Sequence, residues 1–214
     1  MNEQKLPELP VSLLWMRIMN LLKLNLLWLL CCLPIITIGP ATSAMHYVIG
    51  LYLNDTSDAV VKPFFKAFRR DFRQGLFLGL LLIALTALAL FNSLFLLANY
   101  GAHPIWLPLL LLALFLASLY VYAFPLLCRY TLTFGELLKN SVLFFWQNLW
   151  NSLLALLIYL SPVLLCLIFP KILTEILFFW ILLGPALLTY LANGIVCKLL
   201  DREQRRIESS QLSA

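Results

Sequence analysis

Long apolar runs separated by short polar, basic or Gly/Pro-marked stretches organise this chain. The first apolar segment covers Val11–Leu33, with Arg17, Asn20, Lys23 and Asn25 scattered through its first part among leucines. Pro34 ends or kinks that helix, because proline lacks the donor a helix interior needs and clashes with the preceding turn. Gly39 and Pro40 mark a tight turn, and Pro40 suits the first turn of a second helix running to about Leu53. Further apolar segments follow at Gly75–Leu97, Ile105–Leu127, Val142–Phe169 and Ile172–Leu200. Several exceed the ~18–20 residues that cross a bilayer core. Gly184-Pro185 interrupts the last, and a polar, frayed tail is expected over 201–214.

Between the runs lie two connectors. In "KPFFKAFRRDFRQ", Phe64, Phe68 and Phe72 recur every four residues with Phe65 beside them, while Lys66, Arg69, Arg70 and Arg73 take the other side. That pattern predicts a basic amphipathic helix over 62–74 whose rings and charges bind anionic lipid at the cytoplasmic face, with partner docking as the alternative. "RYTLTFGELLKNS" at 129–141 predicts a second interfacial connector.

Composition agrees. The 214 residues are 63% hydrophobic and 12% charged, against about 25% charged in a soluble domain. One all-α integral membrane helical bundle over 1–214 is expected, with no room for a separate catalytic domain. The net charge of +5 then reads as topology and lipid attraction rather than nucleic-acid binding. Placing 54–74, 128–141 and both termini on one side puts fourteen of the fifteen Lys and Arg there, leaving only Lys171 opposite. The positive-inside rule makes that side the cytoplasm. The scheme needs six segments in three hairpins, at 11–53, 75–127 and 142–200. Pro40–Leu53 is short, 14 residues or about 21 Å at about 1.5 Å per residue, so five crossings result if this segment is re-entrant. "GPATSAMHYVIG" and "GPALLTYLANGI" are weakly similar, as are the stretches before the third and fifth segments, which suggests a repeated hairpin. Thr42-Ser43-Ala44 has the look of a signal cleavage site, but the apolar run resumes at once, and no cleavage is expected.

"NLLWLLCCLPIITIGPATSAMHYV" (Asn25–Val48) resembles the opening signature of the YesL family, bacterial membrane proteins of unknown function, at Asn25, Trp28, Pro34, Thr37, Gly39, Ala41 and Ala44. "FFKAFRRDFRQGL" resembles that family's Phe-rich basic segment, and Arg129-Tyr130 fits its connector. The resemblance implies a multi-pass protein of the bacterial inner membrane. It implies no established activity. Because the family's genes are often found beside sugar-uptake and sensor-kinase genes, it also implies a sugar transporter or sensor kinase as partner.

Candidate chemistry centres on the two Gly-Pro breaks, since Gly/Pro-interrupted membrane segments in corresponding places point to transporter sites. Thr37, Gly39, Thr42, His46, Thr189 and Asn193 are the ligand-binding candidates. Thr42 and His46 share one helix face, as do Thr189 and Asn193. The simpler reading makes the breaks a hairpin turn and a proline kink, and the polar groups interhelical glue. Gly75-x-x-x-Gly79 is a possible close-packing face. Gln147, Asn148, Asn151 and Ser152, with Trp146 and Trp150, read as interfacial anchors. The five cysteines read as small apolar packing residues. No catalytic motif, metal-ligand cluster or cofactor loop is visible, so the expectation is a non-enzyme with no cofactor: an accessory or regulatory component linked to carbohydrate uptake or sensing, or alternatively a small carrier or channel.

Overall fold

The computed structural model describes residues 11–54, 56–57, 59–101, 104–168 and 170–212, with their side chains except at 11–14, 163–164, 166–168, 170–179, 203–204 and 206–212. The side chains of Cys166 and Lys171, on which the cysteine and charge readings partly rest, and residues 55 and 58 of the 54–74 stretch lie outside the described residues. Every regular element described is helical. In chain order these are α1 (Val11–Cys32), α2 (Ile38–Leu53), α3 (Val61–Arg70), α4 (Phe72–Tyr100), α5 (Leu107–Arg129), α6 (Phe134–Gln147), α7 (Leu149–Ile168) and α8 (Pro170–Leu212), with 3₁₀ turns at Ile35–Thr37 and Pro104–Trp106. Among the described residues four helices are long and apolar enough to cross a membrane, and the α6–α7 pair, bent by 104° at Asn148, brings the number to five if it counts as one span.

The apolar surface is turned outward as a membrane protein requires. On α4, Phe77 and Phe91 are 65% and 68% exposed, and on α7 Leu153 and Leu157 are more than half exposed. In water such a girdle would be a large unfavourable patch. Against lipid it costs nothing.

Two elements differ from the sequence reading. The expected fifth segment, Val142–Phe169, is split: 142–147 belongs to α6, and α7 starts only at Leu149. A capping box starts α6: the Thr133 hydroxyl accepts from the Glu136 amide, and the Glu136 carboxylate accepts from the Thr133 amide and hydroxyl. The tail is not frayed from Asp201 onward. α8 continues through Leu212, and Asp201 is held by Arg129 at 2.7 Å.

The shortest of the apolar helices is the most enclosed. α2 buries Gly39–His46 together with Val48 and Ile49, and it touches α1, α3, α4, α5 and α8. Its close contact with α4 is backbone against backbone. A Cβ on Gly39 would stand 1.9 Å from the Gly75 carbonyl oxygen, and one on Gly79 would stand 2.6 Å from the Gly39 Cα. The Gly75-x-x-x-Gly79 pattern is therefore a working packing face, and Gly39 is what it receives. Around this contact the core has two parts. One joins Leu21 and Leu24 of α1 to Ala41, Met45 and Val48 of α2 and Phe64 of α3. The other is built on Tyr122, Phe124 and Leu127 of α5, with Leu78, Leu137 and Val196 from α4, α6 and α8.

Two predictions follow from these contacts. Gly39→Ala forces α2 and α4 apart and should cost at least the ~1–3 kcal/mol typical of overpacking, read as a lower unfolding temperature in nanodiscs. Gly50→Ala, in the same helix with open space around it, should be neutral or slightly stabilising. Glu136 is held below the usual carboxylate range by the Thr133 backbone and side-chain hydrogen bonds. A depressed folded-state pKa means that the capping box contributes fully above the unfolded carboxylate pKa and is lost as pH falls through the folded one. Amide exchange in the first turn of α6, normalised to Glu136→Gln, should rise only as the pH drops below the ordinary glutamate pKa of about 4.3.

Candidate functional site

The two Gly-Pro breaks come together with a set of polar groups inside the bundle. Pro185 interrupts α8, and having no N–H it cannot donate to the carbonyl of Ile181. Asn25, on α1 and fully buried, repairs this. Its Nδ2 donates to the Ile181 oxygen at 2.8 Å and the Leu182 oxygen at 2.7 Å, while its Oδ1 accepts from the Ala186 amide at 3.1 Å. One carboxamide thus replaces a turn of backbone ladder and locks α1 to α8. In the sequence it stands with Arg17 and Lys23 among the polar residues of the first segment; in the fold it lies inside the protein. The sequence did hold a signal for it, since an Asn in an apolar helix needs a partner and a proline in another such helix supplies one.

Thr42 is equally occupied. It accepts from the Trp28 indole at 3.2 Å and from the Tyr120 hydroxyl at 3.1 Å, and it donates to the Ile38 carbonyl at 2.7 Å. A hydroxyl offers one donor and two acceptor positions, so Thr42 is saturated. Trp28 and Tyr120 were not among the candidates. Thr37 is a clasp on the outer turn, its hydroxyl within 2.5 Å of the Cys31 carbonyl and 2.7 Å of the Pro34 carbonyl. Thr189 bonds back to the Pro185 carbonyl at 2.8 Å. Gly39 faces the α4 backbone.

His46 and Asn193 do meet, 147 residues apart in sequence. His46 Nδ1 lies 2.9 Å from Asn193 Oδ1, and Asn193 Nδ2 donates to the His46 carbonyl at 3.3 Å. That second bond fixes the amide orientation. Asn193 Oδ1 is then an acceptor, so His46 carries its proton on Nδ1 and is a neutral imidazole. Its ring stacks on Phe124, with centroids 6.1 Å apart. His46 is 2% exposed, and its Nε2 has no partner among the described residues; the Tyr159 hydroxyl on α7 is enclosed beside the Thr189 side chain.

The set expected at the membrane surface divides. Lys66, Arg69, Arg73 and Phe65 are exposed, whereas Phe64 is fully buried and Phe68 packs on the core against α2. The hydrophobic side of α3 is thus spent largely on the protein. Phe72 opens α4, half-buried, with its ring against Phe68. Arg70 turns inward. It grips Asp71 through Nε at 2.7 Å and Nη2 at 2.8 Å, donates to the Cys128 carbonyl at 2.8 Å and lies over the Tyr47 ring. Asp71, 6% exposed, also accepts from Ser43 at 2.9 Å. This joint ties α2, α3, α4 and α5 at one end of the bundle.

The Asn25 splice predicts a coupled pair of substitutions. Asn25→Leu strands three backbone groups and should cost about 1–3 kcal/mol for each that finds no substitute. In a Pro185→Ala background, where the Ile181 carbonyl regains its helical donor, the same change should cost measurably less in a double-mutant cycle of unfolding free energies.

A family model described as "Protein of unknown function, DUF624" matches residues 21–93, the stretch holding α2, the α1–α2 turn, α3 and most of α4. "Uncharacterized protein YesL" of Bacillus subtilis (strain 168) is 30% identical over 128 residues, 58% of this chain. The match spans 61% of that relative's length. No solved structure matches. The matched region contains Asn25, Trp28, Gly39, Thr42, His46, Asp71, Gly75 and Gly79, the α1, α2 and α4 share of the polar core and the close packing.

Proposed function

We propose that the chain is a non-catalytic accessory or regulatory component of the bacterial inner membrane, acting beside a sugar transporter or sensor kinase. The observation that supports this reading is that the polar groups at the two helix breaks are consumed by one another. Asn25 fills the gap at Pro185, Thr42 is saturated, and Gly39 is closed against Gly75 and Gly79. Of the four cavities described, none is lined by Thr42, His46, Thr189 or Asn193. The interior holds the bundle in one shape, as a partner-binding protein needs.

In this reading α1, α2, α4, α5, α7 and α8 make six crossings as three hairpins, with both ends cytoplasmic. α2 has 16 residues, about 24 Å of helix. The 3₁₀ turn leading into it adds about 6 Å, which approaches the ~30 Å core. The 104° bend before α7 suits an α6 lying along the cytoplasmic interface, with Trp146 and Trp150, 61% and 82% exposed, at headgroup level. α3 occupies the equivalent place before α4, its outward Lys66, Arg69 and Arg73 facing anionic lipid.

A carrier is the second reading, and one observation favours it: His46 Nε2 lies inside the bundle with no partner among the described residues. One experiment separates the two. Purified protein in nanodiscs is unfolded thermally against sugars, sugar phosphates and organic anions. The accessory reading expects no stabilisation that disappears in Thr42→Val or His46→Ala; a shift with that dependence makes the protein a carrier. In cells, photocrosslinkers placed at Lys66 and Trp150 should capture a transporter or kinase subunit, and capture of none overturns the accessory reading.

A further inference from the structure

A groove of about 390 Å³ lies between α4 and α7, both of which pack on α5. Thr86 and Ala87 of α4, Ala117 and Tyr120 of α5, and Leu156 and Tyr159 of α7 are among the residues that line it. Its lining is apolar almost throughout, and an acyl chain would satisfy nearly all of it.

Thr86 is the exception. It stands at the middle of α4, 14 residues from Phe72 and 14 from Tyr100. At about 1.5 Å per residue that is about 21 Å of helix in each direction, whereas the hydrocarbon core extends only about 15 Å either side of its midplane. Lipid headgroups and interfacial water are out of its reach. Its hydroxyl is also unspent. In the helices able to cross the membrane, Ser93, Ser118, Ser141, Ser152, Ser161 and Thr189 each donate to a backbone carbonyl. Thr86 does not turn back to the Leu82 carbonyl in this way, and it makes no hydrogen bond to any described residue. Nor is the hydroxyl sealed inside the protein as His46 Nε2 is: Thr86 is half-buried and lines the groove. Hydrocarbon offers it no partner; another polypeptide does.

We propose that this groove is the contact surface for a second copy of the chain, with Thr86 of each copy hydrogen-bonded to Thr86 of the other near a two-fold axis along the membrane normal. Copies inserted in the same orientation carry Thr86 at the same depth, and such an axis brings a residue beside its own equivalent. A hydroxyl both donates and accepts, so the pair is self-complementary. A helix of a different protein would need its own polar side chain at that depth, whereas a second copy always has one. Ala87 and Ala117 leave room for the close approach that membrane helices make at small residues. The inference goes beyond the accessory reading and does not rest on it, since a dimer could serve a transporter, a kinase or neither.

The test uses the full chain. Copies carrying a donor or an acceptor fluorophore at the C-terminus are reconstituted together in phosphatidylcholine vesicles and diluted with lipid. Energy transfer should follow a monomer–dimer equilibrium. Thr86→Val removes the hydroxyl and keeps the shape, and it should weaken the dimer by about 3- to 30-fold, the range of one interhelical hydrogen bond in a membrane. Thr86→Ser should retain most of the affinity. Under oxidation Thr86→Cys should give a dimer joined through the two introduced thiols, mapped by mass spectrometry. Leu88→Cys, 59% exposed at a similar depth on the opposite side of α4, should not. Energy transfer no greater than random mixing, a dimer of unchanged affinity in Thr86→Val, or cross-linking at position 88 rather than 86 overturns the proposal. So does a cross-link from position 86 to a different protein in cells without one to a second copy.

Discussion

Hydrocarbon offers no hydrogen-bond partner, so the polar groups inside this bundle depend on other parts of the chain. α2 brings that constraint to its sharpest point. It is the shortest of the apolar helices, it begins at a Gly-Pro break, and it carries Thr42, Ser43 and His46 on buried positions. A helix with those groups cannot face lipid. It has to be surrounded, and each of its neighbours meets one of its needs. α1 supplies the Trp28 donor and α5 the Tyr120 donor for Thr42. α8 supplies Asn193 for His46. α4 supplies two glycines that let its backbone close on Gly39.

The same constraint explains the joint at one end of the bundle. Ser43 reaches Asp71, Asp71 holds Arg70, and Arg70 reaches the last turn of α5 at Cys128. Arg129, next in sequence, holds Asp201 on α8. Five helices are linked there by groups that are partly removed from water, where such bonds are stronger than at a free surface. The basic segment around Arg70 therefore has two duties. Its inward residues fix the helices, and its outward Lys66, Arg69 and Arg73 carry the surface charge.

Much of the helical layout was legible because its signals are local. Apolar length marked the long helices, proline and glycine marked the α1–α2 turn, and the Phe spacing marked α3. What was not legible depends on pairing between distant segments. Asn25 reads in isolation as one more polar residue near a helix start; only the presence of Pro185 160 positions away gives it a backbone gap to fill. Phe64 reads as a lipid-facing ring because periodicity gives a helix its apolar side but cannot say whether lipid or protein covers that side. The α6–α7 corner was missed for a similar reason. The sequence through Gln147-Asn148 stays apolar enough to pass for one long helix, and no proline or glycine marks the 104° turn there. Of the site residues, His46 and Asn193 were singled out separately, and their contact came from the fold.

That contact leaves one group unspent. Asn193 uses its oxygen on His46 Nδ1 and its nitrogen on the His46 carbonyl, which fixes the tautomer and turns the Nε2 lone pair into the bundle. A purely structural role would be met equally well by a residue with no second nitrogen. The arrangement around it nonetheless favours rigidity: Phe124 stacks on the ring, and α2 is held from above by Gly39 and from below by Ser43. For Nε2 to meet a solute or a proton, α2 would have to separate from α5 or α8, breaking the Thr42–Tyr120 or His46–Asn193 bond in a medium that offers no replacement. The barrier to that opening, rather than the identity of the histidine, is what distinguishes a carrier from a packed accessory protein in this fold.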